Sequence, residues 1–365
     1  MTIARFFTHF VFISLLTAEL SCGDKKGQNT DNTDLLSQRA AFSIQPIVGA
    51  RKQGEEISFD VEKSDTSQAF DSVKVDIDGI SLGKMDKLSQ RFVWSSVGAK
   101  MGSHIFTIRA FRKGIEESTA SQTVFIRSDI SPAEYGYEIV KTYPHNPESF
   151  TQGLEWFDGQ LYEGTGLNGK SAAMAIHYQT GTATIRKELD KSYFGEGITI
   201  LGNKLYQITW QNKKGFRYSL PELKLEKEFS YPTDGWGLTN FSNHLAMSDG
   251  SNKLYMLDTS GFQSRGMVEV WDNKNPIDAL NELEFVNGSI FANKYQTDTL
   301  VEFNPVSGKV IGYVDLSNLL PDKERLGNED VLNGIAYHPK EKLFYVTGKN
   351  WPKLFAIRLV RKSSI

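Results

Sequence analysis

Glu196 and Trp210 lie near the two ends of the stretch FGEGITILGNKLYQITW, residues 194–210. The Gly202-Asn203 dipeptide between two alternating apolar runs is a hairpin turn signal. An antiparallel hairpin brings its ends together, so a carboxylate is expected beside an indole. A carboxyl group among aromatic rings loses hydration, and its pKa rises. It then suits general acid and base work near neutral pH.

The same pattern recurs. Second strands are expected to start at Leu161, Leu205, Leu245, Ile290 and Leu343, at spacings of 44, 40, 45 and 53 residues. Each follows a related element, at Gly153-Leu154, Gly197-Ile198, Gly237-Leu238, Glu282-Leu283 and Gly334-Ile335. Each precedes two further β-like runs, except that the fifth unit runs out of chain after Leu359. Four strands in about 40 to 50 residues make a propeller blade. Residues 135–361 are therefore expected to form a five-bladed β-propeller, with the otherwise unassigned Tyr137–Tyr143 supplying the missing strand and closing the ring. Apolar spacing of two rather than 3.6 argues against helices, apart from short turns at Ile277–Leu280 and within Leu319–Glu329.

Aligning the units aligns their polar residues. Gln152, Glu196, Trp236, Asn281 and Asn333 enter the inner strands, and Gly166, Trp210, Gly250, Tyr295 and Lys349 leave the second strands. Both sets fall at one face, giving a pocket at the axis mouth with a carboxylate, a lysine, amides and aromatics. Polar residues there could equally satisfy inner-strand backbone groups and channel waters. Spacing alone leaves structural, binding and catalytic roles open.

The rest of the chain sets the context. The 365 residues are 39% apolar and 12% aromatic, ample for a core, and a net charge of −3 gives no basic surface for nucleic acid. Arg5 followed by the mostly apolar Phe6–Ala18 reads as an export signal. Cys22, the single cysteine, sits where a bacterial lipoprotein is lipidated, although Glu19 departs from that box. Residues 1–22 are thus expected to be a lipoprotein-type signal with its lipidation cysteine, an ordinary cleaved signal being the alternative. Residues 23–38, rich in Asp, Asn, Lys and Gln, read as a flexible tether. Short alternating runs in 39–130, with Asp78-Gly79 as a hairpin turn, read as a small immunoglobulin-like β-sandwich. It carries no clustered ligands and reads as a spacer or docking module. The expected whole is an all-β, monomeric, exported protein held at a bacterial cell envelope by a lipid on Cys22.

Several strings, in order and in every unit from about 137 to 359, resemble the plant and bacterial glutaminyl-peptide cyclotransferases. They include Tyr143-Pro144-His145 with Phe150-Thr151-Gln152-Gly153-Leu154, Phe194-Gly195-Glu196-Gly197-Ile198-Thr199, and Asp234-Gly235-Trp236-Gly237-Leu238. Leu280-Asn281-Glu282, Leu332-Asn333-Gly334 and Thr347-Gly348-Lys349 continue the match. The resemblance implies a five-bladed propeller that cyclises N-terminal glutamine of peptides or proteins to pyroglutamate and releases ammonia. It implies Glu196 as the acid/base group, Gln152 and Asn281 as substrate hydrogen-bonding residues, Phe150, Phe194, Trp210 and Trp236 as walls, and Lys349 at the polar rim. Tyr295 stands where the family usually has tryptophan. Glu163 belongs to a family-like string but lies mid-strand and reads as an anchor.

No cofactor or catalytic metal is expected: His9, His104, His145, His177, His244 and His338 show no ligand spacing. A structural calcium is left undecided. Glycoside hydrolysis, another propeller chemistry, calls for paired carboxylates, and the ring positions supply only Glu196. A non-catalytic propeller binding peptide termini is the third reading.

Overall fold

A computed structural model describes residues 41–64 and 70–363. The signal segment, Cys22 and the tether lie outside the described residues.

Residues 42–127 form two sheets. Phe42–Ile44, Glu56–Lys63 and Ser89–Ser95 make one; Arg51–Lys52, Ile115–Arg127, Gly102–Arg112, Ser72–Ile77 and Ile80–Lys84, in that spatial order, make the other. Strict alternation buries Ile57, Phe59 and Val61 from the first sheet and Phe106, Ile108 and Ala110 from the second. Phe59 and Phe106 stack across the gap at 3.8 Å between centroids. Asp78 and Gly79 both take positive φ, 50° and 80°, the backbone of a tight hairpin. Arg51–Lys52, which pairs in parallel with Ile126 and Arg127, has no apolar alternation and was not legible in the sequence.

The sheets that follow are built on one plan. Thr151–Phe157, Gln160–Thr165, Ala172–His177 and Thr182–Glu188 form an antiparallel four-stranded sheet. Gly195–Leu201 through Lys224–Ser230, and Leu238–Phe241 through Ser264–Glu269, repeat it. In the first of these the Gly202-Asn203 turn takes φ of 59° at both residues. An eight-stranded sheet completes the set. Its order is Leu280–Val286, Ser289–Lys294, Thr299–Phe303, Val310–Asp315, then Ala133–Pro144, Lys353–Arg361, Leu343–Gly348 and Leu332–His338.

The first strand of each run lies against the first strand of the next, and Leu332–His338 returns to Thr151–Phe157, so the inner strands close a ring. The fold is all-β and propeller-like. Apolar side chains fill the space between successive sheets: Ile198, Ile200, Leu205 and Tyr218 pack against Tyr162, Ala173 and Ala175 of the preceding one.

Ala133–Pro144 joins the two ends of the ring. It pairs in parallel with Val310–Asp315 through its first residues and antiparallel with Lys353–Arg361 along the rest. The strand expected over Tyr137–Tyr143 is therefore present and longer. Among the described residues the one helical element is the 3-10 turn Asp322–Glu324. No helical turn forms at Ile277–Leu280, where Ile277 N instead bonds Val270 O at 2.9 Å and Leu280 opens a strand. Trp271 is buried in the core of the N-terminal sheets and stacks on Phe125 at 5.8 Å, with Lys309 Nζ 2.6 Å from Asp129 alongside.

Candidate active site

The inner strands are not regular where the site residues stand. Register breaks fall at Gln152, at Glu196-Gly197, at Asn281-Glu282 and at Asn333-Gly334. A bulge bends the strand and re-aims a side chain, so four equivalent irregularities turn four polar residues to the same end of the ring. Glycine lets the inner strands approach closely beside them. A Cβ on Gly197 would lie 2.4 Å from Leu238 N, and one on Gly237 1.9 Å from Asn281 O. Neighbouring inner strands thus touch backbone to backbone just past the site residues.

Above this collar the aromatic residues meet edge to face. Trp210 packs on Phe194 at 5.8 Å, and Phe194 on Phe150 at 6.1 Å. Trp236 packs on Tyr295 at 5.4 Å. Lys349 links the two groups, its Nζ 4.9 Å from the Phe150 ring centre and 5.1 Å from that of Tyr295, a double cation–π contact. The Gly235 N–H donating to Trp210 O at 3.1 Å completes the circuit. The second-strand ends without side chains now make sense. A Cβ on Gly166 would meet Phe194 Cε1 at 2.5 Å, and one on Gly250 would meet Trp236 Cε2 at 2.7 Å.

The floor is polar. Gln152 Nε2 donates to Glu196 Oε1 at 3.0 Å, and both residues are buried. Burial holds the Glu196 pKa well above the usual carboxylate value, with the charge of Lys349 acting in the opposite direction. Burial also lowers the pKa of Lys349, while Glu196 and Asp330 push it back up. Asn281 is buried and its Oδ1 has no protein partner. An enclosed acid and a lysine, each with its charged form disfavoured by burial, share one aromatic cup.

The structure brings Glu196, Gln152, Phe150, Phe194, Trp210, Trp236, Asn281, Tyr295 and Lys349 to one end of the ring, with two differences from expectation. The hairpin ends do meet, Trp210 N donating to Phe194 O at 3.0 Å. The Trp210 ring, however, packs on Phe194 and is 37% exposed, whereas Glu196 is 5% exposed. The indole is outer rim and the carboxyl is floor. Gln152, expected to bond substrate, has both ends of its amide engaged by Glu196 and Asn333.

Three further carboxylates line the inner strands and were not singled out in the sequence. Glu282 stands where the other four units have glycine; its oxygens accept from Leu154 N at 3.1 Å and Ile335 N at 2.9 Å, tying strands together across the ring. That one non-glycine was the available signal. Glu284 accepts from Tyr337 N at 2.8 Å. Glu155 is partly exposed as a residue, but its enclosed carboxyl accepts from Thr199 Oγ1 at 2.9 Å and Ile200 N at 3.3 Å. Burial raises all three pKa values, that of Glu155 to about 7. Among the described residues no cluster of three or more His, Cys, Asp or Glu could hold a metal ion.

A carboxyl whose folded pKa lies above its unfolded one binds more protons when folded, so stability falls as pH rises between the two. For Glu155 that window runs from about 4.5 to about 7. Glu155→Gln is expected to melt progressively higher relative to the parent as pH is raised through it. Parallel melting curves at every pH would contradict this.

A sequence model of the family described as glutamine cyclotransferase matches residues 111–359. The chain belongs to the glutamine cyclotransferase family. The match begins in the N-terminal sheets, upstream of the motifs that start at residue 143. A glutaminyl-peptide cyclotransferase of Arabidopsis thaliana is 38% identical over 240 residues, covering 65% of this chain and 75% of that protein. The crystal structure of a Myxococcus xanthus glutaminyl cyclase superposes with a TM-score of 0.60 at 32% identity, covering 64% of this chain and all of that one. Membership of this family supports glutamine cyclotransferase activity.

Proposed function

We propose that the protein is a cofactor-independent acyltransferase that converts N-terminal glutamine of peptides or proteins to pyroglutamate, with Glu196 as the proton shuttle. The observation that carries the reading is the position of Glu196: the carboxyl at the floor of an aromatic cup, held by Gln152 and kept from water. In the reaction the α-amine nitrogen attacks the side-chain amide carbon, closing a five-membered ring. Ionised Glu196 takes a proton from that nitrogen and passes it to the amide nitrogen. The carbon–nitrogen bond to the old amide then breaks, and ammonia leaves. No water or redox partner enters the balance. Phe150, Phe194, Trp236 and Tyr295 fold the side chain back on the amine, which supplies orientation. Asn281 and Lys349 face the polar atoms as charge builds on the amide oxygen. The test is incubation with a Gln-initiated peptide, following ammonia and the matching loss of mass. An intact peptide after prolonged incubation would refute the assignment.

The proposal extends to architecture and address. The inner strands and the sheets behind them correspond to a five-bladed β-propeller, preceded by an immunoglobulin-like sandwich. The enzyme is proposed to be exported and held at a bacterial envelope through a lipid on Cys22. A labelled fatty acid should be incorporated by the full chain and not by Cys22→Ser; equal labelling of both would overturn the anchor.

A further inference from the structure

We infer that Asn333 is a positioning residue of this site: it fixes the orientation of the Gln152 side-chain amide and, through it, which oxygen of Glu196 faces the substrate. The inference rests on the cyclisation reading for its functional meaning, but its geometry stands apart from it.

A backbone carbonyl fixes the orientation of both amides. Asn333 Nδ2 donates to Thr151 O at 3.0 Å. A carbonyl oxygen only accepts, so the nitrogen end of the Asn333 amide must point there. Its other N–H donates to Gln152 Oε1 at 3.2 Å. Gln152 must therefore present its oxygen to Asn333 and its nitrogen to Glu196, as the 3.0 Å bond from Nε2 to Oε1 requires. Turning either amide over would set oxygen against oxygen. Asn333 Oδ1 is buried without a protein partner, so no donor on that side favours the reversed orientation.

All three residues are 5% exposed or less, so water cannot readily replace a lost bond. Each stands at an equivalent bulge, on the last, first and second of the inner strands. The ring closure places Leu332–His338 beside Thr151–Phe157 and that strand beside Gly195–Leu201. The consequence for chemistry is specific. The Gln152 bond occupies Oε1, which leaves Oε2 to carry the proton between amine and leaving nitrogen. The other titratable groups acting on Glu196 are Lys349, whose charge favours the carboxylate, and Tyr231, whose hydroxyl is committed to Thr209 O.

Donation to a carboxylate favours its ionised form, so losing the relay should raise the Glu196 titration. The experiment follows the Glu196 carboxyl by carbon-13 NMR in the full chain, assigned with Glu196→Gln, and records the pH profile of kcat/KM alongside. Asn333→Leu is expected to move the titration and the acid limb up by about one pH unit, a tenfold shift. Gln152→Leu should do the same, and the double variant should go no further, because both remove one relay. An unmoved titration in Asn333→Leu, or fully additive shifts, would overturn the inference. Should the leucine variant fail to fold, Asn333→Ser, which is too short to reach Gln152, answers the same question. The NMR titration reads out without turnover, so a parent protein that makes no pyroglutamate would refute the proposed function and leave this result standing or falling on its own.

Discussion

Glu196→Gln is expected to release ammonia from a Gln-initiated peptide about 10²–10⁴-fold more slowly than the parent, with no loss of thermal stability. Glutamine has nearly the same shape and keeps an oxygen for Gln152 Nε2, so the cup around it should stay assembled. It cannot take a proton from the amine, so the proposed shuttle would be lost. The variant also deletes a buried acid whose ionised form is disfavoured by its surroundings, so its melting temperature should match or exceed the parent's at neutral pH. Substrate binding, which we propose is set by the rim and Asn281, should change little; the expected loss is in kcat. Turnover within tenfold of the parent would remove Glu196 from the mechanism.

The largest effect on stability is expected at Glu163. Its Oε1 accepts from Thr151 Oγ1 at 2.7 Å and pairs with His145 Nε2 at 3.2 Å, and Oε2 accepts from Ser149 Oγ at 3.4 Å, all buried. His145 Nδ1 reaches Trp351 O at 2.7 Å. This cluster stitches the first unit to the last, beside Phe150 and Lys349. Burial alone would lower the His145 pKa, but the Glu163 carboxylate and the Trp351 carbonyl outweigh it and raise it. Glu163→Ala removes the partner that keeps the buried imidazole charged and leaves Thr151 Oγ1 and Ser149 Oγ without their acceptor, and should cost about 3–5 kcal/mol. The contribution of a histidine with a raised folded pKa is complete below its ordinary range and is lost as pH rises through the raised value. The penalty of the variant should therefore shrink in alkaline solution. A change under about 1 kcal/mol at neutral pH would show that the cluster is not a stitch.

Periodic features were the legible ones. The second-strand starts, the Gly202-Asn203 and Asp78-Gly79 turns and the closing strand before the first unit all come from alternation and turn chemistry, and all have counterparts in the structure. Aligning the units also brought out the residues gathered at one end of the ring. What stayed hidden depends on contacts between units. Nothing local to Gln152 says that its amide is spent on Glu196 and Asn333, because those partners lie 44 and 181 residues away. Glu155, Glu282 and Glu284 read as ordinary strand carboxylates until the ring closes around them. The helical turn expected at Ile277–Leu280 failed because its local pattern was overridden by pairing with the end of the preceding unit.

The strand Ala133–Pro144 bears on how the molecule would respond to force. It is the first strand of the ring by sequence, it lies inside the eight-stranded sheet between Val310–Asp315 and Lys353–Arg361, and its ladder with Lys353–Arg361 runs antiparallel from Tyr135 to Pro144. A pull directed along this strand would load its ladder bonds together in shear, not one after another by peeling. Along that direction the clasp of the ring is at its most resistant.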